Sequence, residues 1–488
     1  MKQHTYGLMF AMVAACGGTS PEADDVDGGV DTPGADTTPP RVVATTPAAG
    51  AVKVDTYTPI TVTFDEPLDP STVTPETFRL VVTSYPTPID VDVIYDAATR
   101  TVTVHPVRAL VHGFVYRLTI GTSVKDAAGN AFAGERLRFA PIRNGVSRLV
   151  TRDPSNNVII GWTSYRWSAT GYTYVQYAAS GADAIWLTAD DTASSHYEYA
   201  YAEGLQNEGR FFLAGADNAF DTADDTVGQF VRYDYDSAGR SSGVSYFSGV
   251  GVDAVWGTAD DVLQQYSMTP WDAADNLLSS TTVLGRGIDG SWRTADDVVS
   301  TVATYSYDAA GNQTRSVQAN AGTDGLAQTS DDVVTSYTVT TFDQHHNMTA
   351  RMGYSGAGAD QVWFTADDVV QLAQKSELTA QRLVAAQDQY NAPGADGIWQ
   401  TADDVRSARS AFIWNAHGQI ASSTTFSGPG GDAVWGTGDD LISSYTTTTF
   451  DAAGRNTDYR VYSAPGTDGI WKTADDRVTT DYDYDLTY

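Results

Sequence analysis

Hydrophobic and polar positions alternate with a period of two along most of this chain. Residues 60–64, 91–95, 101–104 and 116–120 are runs of β-branched and aromatic residues separated by Pro, Asp and Gly clusters, which predicts a β-sandwich over residues 39–142. The same alternation returns after residue 143 in Val-, Thr- and Tyr-rich stretches such as 298–307. There it is interrupted by two landmarks that recur in step. The first is an acidic loop, Gly-x-Asp-x-x-(Trp)-x-Thr-x-Asp-Asp, written nine times with its leading aspartates 34 to 36 residues apart. The second follows nineteen residues after the leading aspartate and reads aromatic-Asp-x-x-Gly-(Asn/Arg), as in Tyr307-Asp308-Ala309-Ala310-Gly311-Asn312. Asp bonds its own downstream backbone and Gly supplies a positive φ, so these are hairpin turns. A fixed period marks units that bury apolar surface only against their neighbours. The expected fold class is therefore all-β: a sandwich, then a repetitive β-hairpin array over residues 143–488, built as a β-solenoid or spiral sheet of about nine 36-residue units. Residues 369–390 favour helix by propensity, yet repeat register places them on a hairpin.

Three stretches, Pro47-Ala48-Ala49-Gly50, residues 62–72 (Val-Thr-Phe-Asp-Glu-Pro-Leu-Asp-Pro-Ser-Thr) and Val124-Lys125-Asp126-Ala127-Ala128-Gly129-Asn130, resemble the bacterial Ig-like domain of the SbsA type. That resemblance implies a spacer or binding module of surface proteins with no activity attached. The acidic pair Asp65 and Glu66 falls inside the motif, at a strand end, and reads as structural. The aromatic-Asp-x-x-Gly turns resemble the YD repeat of the RHS/YD family, whose hairpins coil into a long β-sheet. The match is good at five turns and poor at 378–382 and 414–418. The units here are also longer than that family's, the excess being the acidic loop.

The N-terminus adds an address. Met1-Lys2, a short apolar core and Val13-Ala14-Ala15-Cys16 read as a secretory signal over residues 1–16, and the last four resemble a bacterial lipobox, which makes Cys16 the lipidation site. Residues 17–38 contain almost nothing large and apolar and read as a disordered tether. The expected location is the cell envelope, outer membrane or cell surface, with the membrane as partner through the lipid anchor. Cys16 is the only cysteine, so no internal disulfide can contribute.

Charge then narrows the partners. Against 61 acidic residues stand 29 basic ones, a balance that excludes nucleic acid and favours cations. The leading aspartates Asp183, Asp217, Asp253, Asp289, Asp324, Asp360, Asp396, Asp432 and Asp468 are followed by the pairs Asp190/Asp191, Asp224/Asp225, Asp260/Asp261, Asp296/Asp297, Asp331/Asp332, Asp367/Asp368, Asp403/Asp404, Asp439/Asp440 and Asp475/Asp476. Three carboxylates, a Thr hydroxyl and backbone carbonyls in one loop are suitable ligands for calcium, the expected cofactor. The same Thr-x-Asp-Asp equally reads as a helix-capping box with solvated charge. The loop aromatics, among them Trp186, Trp256, Trp399 and Trp471, read as packing between units rather than as sugar platforms. A motif copied nine times is not a single active site, and no catalytic signature stands out, so no enzyme is expected. The expectation is a non-enzymatic surface lipoprotein acting as spacer, adhesin or envelope scaffold, engaging a surface glycan or protein ligand. The alternatives are a carbohydrate-binding array and an RHS-type toxin-carrier shell, the latter hollow and closed.

Overall fold

The computed structural model describes residues 36–85, 87–141, 145–168, 170–202 and 204–484. The expected signal, Cys16 and most of the tether lie outside these residues. Thr38–Tyr488 form one compact unit.

Its first part is a sandwich of two antiparallel sheets. Strands β1 (Val42–Thr46), β2 (Ile60–Phe64), β4 (Val91–Asp96) and β5 (Thr101–Pro106) are ordered β1-β2-β5-β4, and β3 (Phe78–Val82), β6 (Tyr116–Ile120) and β7 (Glu135–Phe139) are ordered β3-β6-β7. Alternation decides which side chains go inside: Ile60, Val62 and Phe64 are buried while Thr61 and Thr63 are not. They meet Leu80, Val102, Val104 and Leu118 in one core, with Phe78 and Phe132 set edge-on against Phe64. Each such side chain contributes about 1.5–3 kcal/mol by leaving water.

The second part corrects the expected architecture. Twenty strands, from β8 (Val146–Arg152) to β27 (Arg477–Tyr484), run antiparallel to their neighbours, and β27 pairs back onto β8 through Thr480 with Thr151 and Tyr482 with Leu149. The array is a closed up-and-down barrel, neither solenoid nor spiral sheet. Register supplies the reason. Tyr266 faces Val283 and Val283 faces Val299, while the residue one repeat after Tyr266 is Val302. Each hairpin thus steps along its neighbour by three residues here and by two on the other side of the β-bulge between Thr282 and Val283, which tilts the strands, and a twisted sheet tilted this regularly curls until its edges meet. Closure pairs the N–H and C=O groups that either end of an open array would leave exposed. At about 4.8 Å between strands and the usual tilt of about 35–45°, twenty strands enclose a ring about 37–43 Å across. Residues 369–390 form the hairpin of β21 (Val369–Leu378) and β22 (Val384–Ala392), so register prevailed over propensity.

The two landmarks fall at opposite ends. All the aromatic-Asp turns lie at the end where the chain enters from the sandwich, and all nine acidic loops lie at the other. The turn aspartate works as expected: Asp308 Oδ1 accepts the N–H groups of Ala310 and Asn312. Where the motif looked poor, Thr379 and Asn415 accept the same two backbone bonds. The turn aromatic ties one hairpin to the next, Tyr307 donating to the Leu277 carbonyl at 3.0 Å and Trp414 to that of Val384 at 2.7 Å.

The sandwich sits on these turns around the ring, from Gly204, packed against Val52, through Ala274 and Arg382 to Gly454. Ser376, Phe412 and Trp414 join Ile89, Leu110 and Val111 of the sandwich around a cavity of about 520 Å³. The strand face carrying Ser376, Phe412 and Trp414 therefore looks into the barrel. The other face looks out and carries the barrel's main apolar burial, with Phe230, Tyr266, Val283, Val302, Tyr337 and Tyr445 almost wholly covered. The acidic loops form that cover, with Trp292, Trp363 and Trp471 set edge-on against Tyr266, Tyr337 and Tyr445 at about 6 Å. The loop aromatics thus pack as the sequence predicts.

Candidate functional site

Each acidic loop is wired by its own carboxylates. In the loop around Trp399, Asp396 Oδ1 accepts the Ile398 N–H at 2.8 Å, and Asp403 Oδ2 accepts the N–H groups of Ala395 and Asp396. Asp404 Oδ2 takes the Gln400 N–H at 2.6 Å, which fixes Gln400 at φ +69°. The Thr401 hydroxyl donates to Asp403 Oδ1 at 2.8 Å. The threonine is thus a donor to the carboxylates and not the accepting cap that the sequence suggested.

The three aspartates of a loop are also unequal, where the sequence reads them as three like ligands. The last one turns inward against the strands. Asp261 and Asp440 are buried and Asp332 is half-buried, and their Oδ2 atoms accept the N–H groups of Gly257, Gly436 and Gln328 at 2.7, 2.7 and 2.8 Å. Asp191, Asp225, Asp297, Asp368 and Asp476 take the N–H four residues back in the same way. This bond closes the loop at a residue of positive φ, which is the physical reason why one oxygen of the last aspartate is spent on backbone rather than left open. Several of these carboxylates reach back one hairpin as well: Asp297, Asp368 and Asp476 accept the hydroxyls of Tyr266, Tyr337 and Tyr445 at 2.6–2.7 Å, and Asp191 the Trp162 indole N–H. In Asp261 the second oxygen, Oδ1, is buried without a hydrogen-bond partner among the described residues.

The first aspartate of each pair is exposed or half-buried, yet hydrogen bonds from its threonine and from loop N–H groups hold its carboxyl below the usual range in all nine loops. A second hydroxyl, from Thr323 or Thr467, helps bring Asp331 and Asp475 down to about 2. Oxygens outnumber protons at the centre of the loop. The Thr294 hydroxyl lies 3.4, 2.9 and 3.2 Å from Oδ1 of Asp289, Asp296 and Asp297, and 3.3 Å from the Ser291 carbonyl. One proton serves one of four acceptors at a time. Thr329 and Thr473 sit likewise among the Oδ1 atoms of their three aspartates, Asp324, Asp331 and Asp332 in one loop and Asp468, Asp475 and Asp476 in the other. The donor set suits a hard cation, although among the described residues no loop brings oxygens of all three aspartates within 4.8 Å of one another. The sequence-predicted aspartates are therefore gathered at one rim, three to a loop, and each is engaged by its own loop.

The opposite rim is a charged joint that the sequence did not reveal. Asp275, 4 % exposed at its side chain, meets Arg117 at 3.3 Å, Arg136 at 3.4 Å and Arg240 at 2.8 Å, and Arg117 is 1 % exposed. Arg382 bridges Asp90 and Asp92 of the sandwich at 3.1 and 2.6 Å. His345 and His346, at the tip of the turn after β19 (Val333–Phe342), face the sandwich. His346 bonds Asn312 at 2.8 Å, and burial followed by the nearby Arg79 lowers its pKa. Asp275, His346 and Arg382 occupy the left-handed position that glycine fills in sister turns. Where glycine remains, at Gly239 and Gly311, a Cβ would strike Arg138 or Arg79 of the sandwich. A residue that departs from the turn pattern was the available signal for this joint.

A family profile described as a bacterial Ig-like domain matches residues 36–140, about a fifth of the chain and the region of the sandwich. Residues 36–140 are a bacterial Ig-like domain. No curated protein matches the chain. Among solved structures it is similar to the N-terminal part of the bacterial S-layer protein SbsC, at 15 % identity over 46 % of this chain and 43 % of that one, with a TM-score of 0.18. A porin-like protein from Bacteroides uniformis overlaps at 8 % identity, 70 % and 98 % coverage and a TM-score of 0.25. A TcdB2-TccC3-TEV structure overlaps at 10 % identity, 82 % and 23 % coverage and a TM-score of 0.17. Scores at this level establish no shared architecture. The Ig-like domain is thus the assigned part of the chain, and it is the part that closes one end of the barrel.

Proposed function

We propose that this protein is a non-enzymatic scaffold of the cell envelope, lipidated at Cys16 and tethered by residues 17–38, whose Ig-like domain and barrel together present an acidic, calcium-binding rim. The crowding of four acceptor oxygens around the single Thr294 proton carries the calcium part of this reading, because one donor serves one acceptor at a time and a cation drawn in among them would engage more than one at once. Repetition supports the absence of catalysis, since each polar cluster of the rim occurs nine times and none is singled out. The outer barrel face carries charges in mid-strand, such as Arg210, Arg232, Asp388 and Arg409, rather than the apolar band of a lipid-facing wall, which leaves the lipid as the anchor.

Thermal unfolding of the protein in millimolar calcium and then in chelator tests the rim. A higher barrel transition with calcium is expected, and an unchanged transition would leave the aspartates as loop wiring alone. Cys16→Ser tests the anchor separately: the variant should move from the membrane to the soluble fraction, and persistence in the membrane would refute lipidation.

A further inference from the structure

The barrel sorts its residues by face more strictly than a packed wall requires. On the outer face charged side chains pair across strands, including Arg148 with Asp483, Arg409 with Glu377 and Asp388, and Arg406 with Asp388. On the inner face, followed through the strand pairings, Arg351 is the one charged residue among the described strand positions. The remainder of that face is divided. One sector is a tyrosine wall: Trp167, Tyr172 and Tyr199 stack in a row at 4.7 and 5.0 Å, and Tyr174 stacks on Tyr197 at 4.6 Å beside Tyr165. The facing sector carries mainly hydroxyls and amides beyond Phe412 and Trp414, with cross-strand pairs such as Ser316 with Thr338 at 2.8 Å and Ser423 with Thr446 at 2.7 Å, and Gln374 beside Gln389.

The phenol hydroxyl is the atom of tyrosine farthest from the backbone, so an inward ring presents it to the lumen. Among the described residues none bonds the hydroxyls of Tyr165 or Tyr172, and burial pushes both phenols up from their ordinary pKa. A half-buried hydroxyl without a protein partner is satisfied only by water or by a ligand. The ring faces of this row are taken up by one another, so the row offers the lumen its phenol hydroxyls and ring edges, which exchange bonds with sugar hydroxyls, and the single charge of the face leaves little to recognise an ion. The Ig-like domain closes one end, so entry is by the mouth that the acidic loops ring. That mouth and a net charge of −32 repel polyanions.

We propose that the lumen of the barrel is a binding chamber for a neutral oligosaccharide, laid along the Tyr165–Tyr172–Tyr199 wall and hydrogen-bonded by its phenol hydroxyls. The site is distinct from the rim and does not depend on calcium. A polypeptide strand is less suited, because its regularly spaced N–H and C=O groups call for an open sheet edge and the closed barrel has none.

Calorimetric titration of the full chain with cellohexaose, maltohexaose and hexa-N-acetylchitohexaose tests this, with hexagalacturonate and an uncharged Gly-Ser peptide as contrasts. At least one neutral hexasaccharide should bind, and neither contrast should bind as tightly. Tyr172→Ala should weaken that binding by about tenfold or more. Tyr172→Phe, which keeps the ring and removes a hydroxyl that no described residue bonds, should weaken it about as much at an unchanged melting temperature, and it keeps the test open if the alanine variant does not fold. Trp399→Ala at the rim should leave affinity unchanged. The proposal is overturned if no neutral hexasaccharide binds at millimolar concentration, if hexagalacturonate or the peptide binds as well, or if Trp399→Ala abolishes binding while both Tyr172 variants leave it intact.

Discussion

Asp275 combines two unfavourable situations in one residue, a left-handed backbone at φ +68° and a buried carboxylate, and both are tolerated because three arginines converge on it. Removing the carboxylate strands the Arg117 guanidinium, whose Nε and Nη1 already have no hydrogen-bond partner. Asp275→Ala should therefore lower stability by about 3–5 kcal/mol, read from the urea midpoint. Asp275→Gly, which loses the same charge but relaxes the backbone, should recover roughly 1 kcal/mol of that. At the other rim, Asp331 gives a prediction of pH dependence. Folding lowers its pKa to about 2 through hydrogen bonds from Thr329, the Asp324 N–H and Thr323. Its contribution is then complete above the unfolded value of about 4 and is lost as pH falls toward about 2. Asp331→Asn should flatten the melting curve against pH in that window and leave its slope near neutrality alone.

At the scale of the element, what is local was legible and what is summed was not. The turn at Thr379 lacks both the aspartate and the glycine of its sisters, yet the repeat register placed it correctly, because a hydroxyl can accept the same two N–H groups. The nine loops were equally plain, since each is closed by its own three aspartates and threonine. The division of labour inside a loop was not, because Asp260 and Asp261 are the same residue type side by side and only the fold sends one outward and the other under the loop. The docking of the Ig-like domain was hidden, because its contacts come from Asp275, His346 and Arg382, which look like defects in the repeat until the partner surface is seen. Ring closure was hidden for another reason: a step of two or three residues per hairpin leaves no trace in a sequence whose period is the same for a ring or a spiral. Packing between loop and strand can be tested directly. Trp363 lies edge-on to Tyr337 at 6.0 Å, and Trp363→Ala should lower stability by about 2–3 kcal/mol in denaturant unfolding.

For the whole molecule, strand direction decides what closure permits. Every strand of the barrel is antiparallel to its neighbours, so β26 (Asn456–Ala464) runs parallel to β8 and meets it only through β27. A chain ended after residue 476 loses β27 and leaves two edges that run the same way, which cannot adopt the pairing used everywhere else in the ring. Those edges should recruit other chains, giving concentration-dependent oligomers by light scattering. A chain ended after residue 455 loses β26 as well, although it discards more structure. Its last strand, β25 (Leu441–Phe450), is antiparallel to β8 and can take the place of β27 in a ring of two fewer strands. That shorter chain should remain monomeric where the longer one associates. The opposite order, a monomer ending at 476 and aggregates ending at 455, would mean that the Ig-like domain clamped on the turns holds the barrel shut, and that the β27 to β8 seam follows from that clamp instead of causing closure.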